Sequence, residues 1–184
     1  MDDPGDLFRY SRQGALRNGT PVRIRMARAD DRHRLVTAFQ ALDPQTIYTR
    51  YFSFRSGFSE TELGRLDAPD LDRYILLVAT LGSGADETVI GGASCVVLDP
   101  DSQIRSAELA FTVEEDYQRQ GLASQLLATI VELARSRGIQ RCEADVLAEN
   151  PAMLAVFRRC GLPMSTSRSG GVVHLVLDLA TPAP

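Results

Sequence analysis

Residues 117–123, Y-Q-R-Q-G-L-A, lie between an apolar strand-like run at 107–113 and a helix-like run at 122–137. A strand that feeds a helix through one glycine leaves several backbone N–H groups unpaired at the positive end of the helix dipole, where an anion can sit. A pyrophosphate is the anion expected here. An ordinary strand-to-helix turn has the same pattern, so the rest of the chain must decide between them.

The 184 residues suit one domain with a core of its own. With 44% hydrophobic residues, 24% charged residues and a net charge of -4, the composition is that of a soluble globular protein, and no basic tract invites nucleic acid. Cys95, Cys142 and Cys160 are odd in number and widely spaced, which argues against a disulfide framework or a zinc site and for a reducing cytoplasm. No run of about 18 apolar residues is present, and Asp2, Asp3 and Asp6 stand where an export signal would be basic, so neither membrane insertion nor export is expected. All 20 residues in the Lys+Arg count are arginines. Codon bias accounts for this, and a protein that modifies lysines would also escape modifying itself.

Residues 1–20 are polar, with Phe8 and Tyr10 but no sustained period, and read as an N-terminal arm before a domain at 21–180; residues 181–184 are a C-terminal tail. Val22, Ile24 and Met26 alternate with Arg23 and Arg25 as in a strand with one wet face. Asp30 or Asp31 can cap a helix bearing Leu35, Val36, Phe39 and Leu42, and a short second helix is expected at 45–52. The rings of Tyr48, Tyr51, Phe52 and Phe54 interleave with Arg50 and Arg55, so this region is either core or a substrate-facing wall. Apolar runs at 73–81, 88–98 and 104–113 form a three-strand meander, in which Glu108 points away from the more apolar face. A helix from Leu122 ends at Gly138, a strand covers 141–147, Asn150-Pro151 starts a helix closed by Gly161, and a last strand covers 172–179 with His174 inside it. The sum is one α/β domain with a mixed, mostly antiparallel sheet flanked by helices on both faces.

Gln118, Gly121 and Ala123 match the acyl-CoA loop pattern Q/R-x-x-G-x-G/A, and E-N-P-A-M-L-A-V-F-R-R-C-G-L follows at 149–162. These segments resemble the GNAT superfamily of N-acetyltransferases over about residues 22–179. The opening N-G-T-P-V-R-I-R-M-A-R-A-D-D, the segment A-L-D-P-Q-T-I-Y-T-R-Y-F and the strand A-E-L-A-F-T-V further resemble Pat-type protein lysine acetyltransferase domains.

The resemblance implies transfer of an acetyl group from acetyl-CoA to an amine, most simply a protein lysine. Glu108 would be the general base, because a lysine with a pKa of about 10.4 must lose a proton before it can attack. Phe111, Thr112 and Val113 would align the thioester arm, with a backbone N–H near Phe111 or Val113 stabilising the oxyanion. Arg119, Gln120, Gly121, Leu122, Ala123 and Ser124 would hold the pyrophosphate, with Gln118 opening the loop and Asn150 contacting the CoA arm. Each has a structural alternative: a surface carboxylate for Glu108, core packing for Phe111 and Val113, a solvated charge for Arg119, and a helix cap for Asn150. One position departs from the pattern, because Phe157 stands where many relatives carry a tyrosine that protonates the leaving thiolate. No metal is expected, Cys160 and His174 are expected to be buried and inert, and a homodimer is left open. A small-molecule amine is the alternative acceptor, and a domain that senses acyl-CoA without turnover is the alternative to an enzyme.

Overall fold

Period-two alternation builds the sheet of the computed structural model, which describes residues 7–180. The strands are β1 (Ser11–Ala15), β2 (Pro21–Met26), β3 (Tyr74–Leu81), β4 (Thr88–Val97), β5 (Ser106–Val113), β6 (Arg141–Leu147), β7 (Met164–Ser169) and β8 (Val172–Asp178). They form one sheet in the order β1-β2-β3-β4-β5-β6-β8-β7, with every neighbouring pair antiparallel except β5 and β6. The α-helices flanking it among the described residues include α1 (Arg32–Ala41), α2 (Pro44–Tyr51), α3 (Glu60–Asp67), α4 (Leu122–Ser136) and α5 (Pro151–Arg158). None is long and apolar enough to cross a membrane.

One face of the sheet presents Ile24, Leu77, Cys95, Leu109 and Cys142 to Leu122, Leu126, Ile130 and Ala134 of α4, all fully or nearly fully buried. Phe157 of α5 closes this core against Phe111, edge to face at 5.9 Å between ring centroids. Helices α1 to α3 cover part of the opposite face, where Phe39, Leu63 and Leu66 are buried. The fold is therefore the mixed, mostly antiparallel sheet with helices on both faces that the alternation predicts.

Two local expectations change, and two elements appear that the sequence did not mark. Residues 11–15 are not part of an arm but an edge strand paired with β2, from Ser11↔Arg25 to Ala15↔Pro21, so the fold begins before residue 20. The tail at 181–184 lies outside the described residues. The segment 60–67 is a helix, and its start is written as a capping box: Ser59 Oγ accepts from Glu62 N at 3.2 Å while the Glu62 carboxylate accepts from Ser59 N at 2.7 Å. The segment 164–169 is a strand, held on an exposed edge by pairing with β8. Finally, Arg25 does not face water.

Arg25 is 2% exposed and Asp31 is fully buried. The guanidinium donates to both oxygens of Asp31 at 2.6 and 2.7 Å and to both oxygens of Glu87 at 3.1 and 2.9 Å. Glu87 also accepts from Thr80 Oγ1 at 2.9 Å. This cluster ties β2 to the turn that starts α1 and to the β3–β4 hairpin. It holds Glu87 down at a pKa of about 2, first through the Arg25 hydrogen bond and then, against desolvation, through Thr80. A carboxylate with a depressed native pKa stabilises the fold above its unfolded value, and that contribution is lost as pH falls. Removing the guanidinium takes away the main counter-charge of both carboxylates and leaves Arg34, whose Nη1 stands 3.6 Å from Asp31 Oδ1. Arg25→Ala is expected to lower stability by about 3–5 kcal/mol in urea unfolding at neutral pH. The parent itself should lose stability progressively from about pH 5 towards pH 2.

Candidate active site

Strands β5 and β6 pair over three residues, Ser106↔Arg141, Ala107↔Cys142 and Glu108↔Glu143, and then separate. Beyond that point β5 remains bonded to β4 and β6 to β8, so each strand keeps one partner and the edges between them open. Backbone groups on those edges are free to pair with an extended ligand. Phe111, Thr112 and Val113 lie along this open part of β5, all half-buried.

The N-terminus of α4 stands at the end of the same strand. A 3₁₀ turn at Glu115–Tyr117 leads into Gln118 at φ −66° and ψ 157°, and Arg119 follows at φ 59°. That sign pattern is a type II turn, whose third position favours glycine, and an arginine there carries a cost of about 1–2 kcal/mol. Gly121 at φ 85° is the N-cap of α4 and makes the second left-handed step without a Cβ penalty. Among the described residues, the backbone N–H groups of Gly121, Leu122, Ala123 and Ser124 donate to no carbonyl, which leaves an anion-binding concavity at the positive end of α4.

The side chains of this loop have distinct tasks. Gln118 Nε2 donates to Val113 O at 3.0 Å and Thr46 Oγ1 at 3.2 Å, locking the loop to the end of β5 and to α2. Leu122 is core, at 1% exposure. Asn150 caps α5, its Oδ1 accepting from Met153 N at 3.1 Å. Phe157, 1% exposed against Phe111, is a core residue and has no hydroxyl to offer a thiolate.

Glu108 is exposed on the face opposite α4. Its in-register neighbour Glu143 lies on the same face, and Asp145 and His174 continue the row across β6 and β8. His174 is not buried: its side chain is 41% exposed, with Nδ1 2.8 Å from Asp145 Oδ1 and Nε2 3.7 Å from Glu143 Oε2. Glu143 and Asp145 were legible in the alternation of R-C-E-A-D-V-L, whereas their convergence on Glu108 required the register. Arg50 of α2 lies within electrostatic range of Glu108; desolvation lowers its pKa, partly offset by the charges of Tyr51 and Glu108. Arg50 and Arg55 each stand over the Tyr51 ring, 4.5 and 4.4 Å from its centroid, while Phe52 and Phe54 are exposed.

Beneath α1 to α3 the same face bounds a mostly apolar cavity of about 150 Å³, lined among others by Phe39, Tyr51, Phe58, Ala110, Thr112 and Glu114. Glu114 was not singled out in the sequence. Its Oε2 is buried without a hydrogen-bond partner. Burial raises its pKa above the ordinary 4.5, reinforced by Asp116 and then, more weakly, by Glu115 and Asp43. No group of His, Cys, Asp and Glu among the described residues could hold a metal ion, and the three cysteines are free.

A gap between two parting strands beside a helix N-terminus is shaped for an extended ligand with an anionic end. The comparisons make this specific. The model of the acetyltransferase (GNAT) family matches residues 42–162, and the chain belongs to that family. It is 31% identical over 146 residues to the acetyltransferase Pat of Mycolicibacterium smegmatis, an alignment covering 79% of this chain and 42% of that protein. The chain therefore spans about two fifths of that relative's length. The crystal structure of the GNAT domain of S. lividans PAT superposes with a TM-score of 0.82 at 30% identity, covering 96% of this chain and 99% of that one. The cAMP-binding acyltransferase from Mycobacterium smegmatis superposes at 0.64 and 28% identity, over 95% of this chain and 48% of that one. This domain is thus related to the Pat-type acetyltransferase domains.

The environment of Glu114 gives a stability test. A carboxyl whose native pKa is raised destabilises the fold as pH rises through that value, because the charged form is disfavoured only in the native state. Glu114→Gln is expected to raise the melting temperature at about pH 7 and to give no gain below about pH 4, as thermal melts across that range would record.

Proposed function

We propose that this protein transfers the acetyl group of acetyl-CoA to the side-chain amine of a lysine in another protein. The observation that carries the proposal is the position of Glu108, exposed on the acceptor face at the point where β5 leaves β6. The CoA pyrophosphate lies against the N–H groups of residues 121–124, and the pantetheine arm pairs along the open edge of β5. The acceptor arrives from the opposite face as an ammonium group. Glu108 takes its proton, directly or through a water, and the neutral nitrogen attacks the thioester carbonyl. A C–N bond forms, and a backbone N–H near Phe111 or Val113 holds the oxyanion. Collapse breaks the C–S bond, the electron pair leaves with sulfur, and the second amine proton passes to solvent. With Phe157 in the core the sulfur departs as thiolate, which its low pKa permits.

Three features support a protein acceptor. The similarity is to Pat-type domains. The acceptor face carries Glu108, Glu143 and Asp145, which attract a cationic side chain. The chain itself contains no lysine to compete. Three free cysteines suit a reducing, cytoplasmic compartment. The absence of a hydroxyl at Phe157 favours a second reading, a domain that binds acyl-CoA without turning it over.

Thiol release from acetyl-CoA, measured with lysine peptides and with small amines, separates these readings. Peptide-dependent release is expected, and Glu108→Gln should reduce kcat by about 100-fold or more with CoA affinity unchanged. Turnover on small amines alone would replace the protein acceptor. Tight CoA binding with no turnover on any acceptor would establish the sensing domain.

A further inference from the structure

The β1–β2 hairpin reaches across to the loop that opens α4. Leu16 anchors it in the core at 3% exposure. The turn is closed by Leu16 N to Thr20 O at 2.9 Å, Gly19 N to Leu16 O at 2.9 Å and Thr20 N to Asn18 Oδ1 at 3.0 Å. From this rigid turn Arg17 makes two bonds to the loop. Its backbone N donates to Gln120 O at 3.0 Å, and its Nη1 donates to Arg119 O at 3.1 Å. Next to it Gln125 Nε2 of α4 donates to Ala15 O at 2.9 Å, and Gly14 leaves the space that the Gln125 side chain fills.

We propose that Arg17 is a positioning residue for phosphate binding, holding the two peptide planes on either side of Gln120 so that their N–H groups face away from the hairpin. The peptide group is planar and trans, so its C=O and N–H point in opposite directions. Fixing the carbonyls of Arg119 and Gln120 on Arg17 therefore turns the N–H of Gln120 back into the loop and that of Gly121 toward the helix N-terminus. Arg119 makes this restraint necessary, because φ 59° is a conformation an arginine does not hold unaided. The Arg17 bond to the very next carbonyl group opposes relaxation of that residue. The rest of the Arg17 side chain is exposed beside Gly121, with Cγ and Nε 3.8 Å from where a Cβ would stand there. The hairpin thus belongs to the cofactor site although no residue of β1 lies on the open edge of β5. The proposal rests on the reading that residues 118–124 hold the CoA phosphates.

The experiment compares the full chain with Arg17→Ala and Arg17→Lys, using calorimetric Kd values for CoA itself so that the introduced lysine stays unmodified, followed by steady-state kinetics. Losing one charge-assisted bond is expected to weaken CoA binding and raise the acetyl-CoA KM by about tenfold in Arg17→Ala, with kcat within about twofold of the parent. Arg17→Lys, which retains a donor for the Arg119 carbonyl, should recover most of the loss. A double-mutant cycle isolates the route of action. Because glycine adopts positive φ freely, the Arg17→Ala penalty should shrink in an Arg119→Gly background. An equal penalty in both backgrounds would overturn positioning in favour of direct phosphate contact. A parent-like CoA Kd in Arg17→Ala, or a fall confined to kcat, would overturn the proposal while leaving the loop's role intact. Failure of the parent to bind CoA would overturn both.

Discussion

The three residues over which β5 and β6 run in parallel set the layout of everything around them. A parallel pair needs a crossover, and here the crossover is α4, whose N-terminus must stand at the far end of β5. Because the pairing stops at Glu108 and Glu143, the strands part below that N-terminus and an open edge leads straight to it. The strand interval between Glu108 and the loop is thereby fixed at the length of the remaining β5. In the proposed reaction one end offers N–H groups to phosphates, and the other offers a carboxylate to an amine.

A second constraint holds the acceptor side. Arg25, Asp31 and Glu87 bury two negative charges and one positive charge where the sheet meets α1, and their mutual bonding, with Arg34 beside Asp31, offsets the cost of that burial. The same linkage brings α1, and after it α2 and α3, over the face that carries Glu108. Asp43 N donates to Glu115 Oε1 at 3.0 Å and Gln118 reaches Thr46, so the helical layer is also stitched to the phosphate loop. The face that carries Glu108 and the loop that opens α4 are thus mechanically continuous through α2.

Much of this was legible in the chain because it is local. Alternation marked β2 and β5, apolar runs of strand length marked β3, β4 and β8, glycine and proline marked the ends of α4 and the start of α5, and Q-R-Q-G-L-A located the loop. The features that escaped notice have identifiable reasons. Strand β1 is short, polar and exposed, so it carries no hydrophobic period, and pairing with β2 alone defines it. Strand β7 is the same case at the other edge. The S-E-T-E capping box of α3 was present in the sequence, and the helix it starts is too short for a strong periodic signal. Arg25 looked like the wet side of a strand because its partners, Asp31 and Glu87, are distant in the chain or hidden in turns.

Sequence alone determined the order of β2 to β6, β8 and the helices α1, α2, α4 and α5, the family resemblance and the position of the turn at 118–121, since each depends on residues adjacent along the chain. Tertiary structure decided which carboxylates share a face, where β5 leaves β6, that Phe157 belongs to the core, and that Arg17 meets a loop about a hundred residues away. Those outcomes follow from register and packing between distant segments, and such contacts leave no periodic mark on the residues that make them.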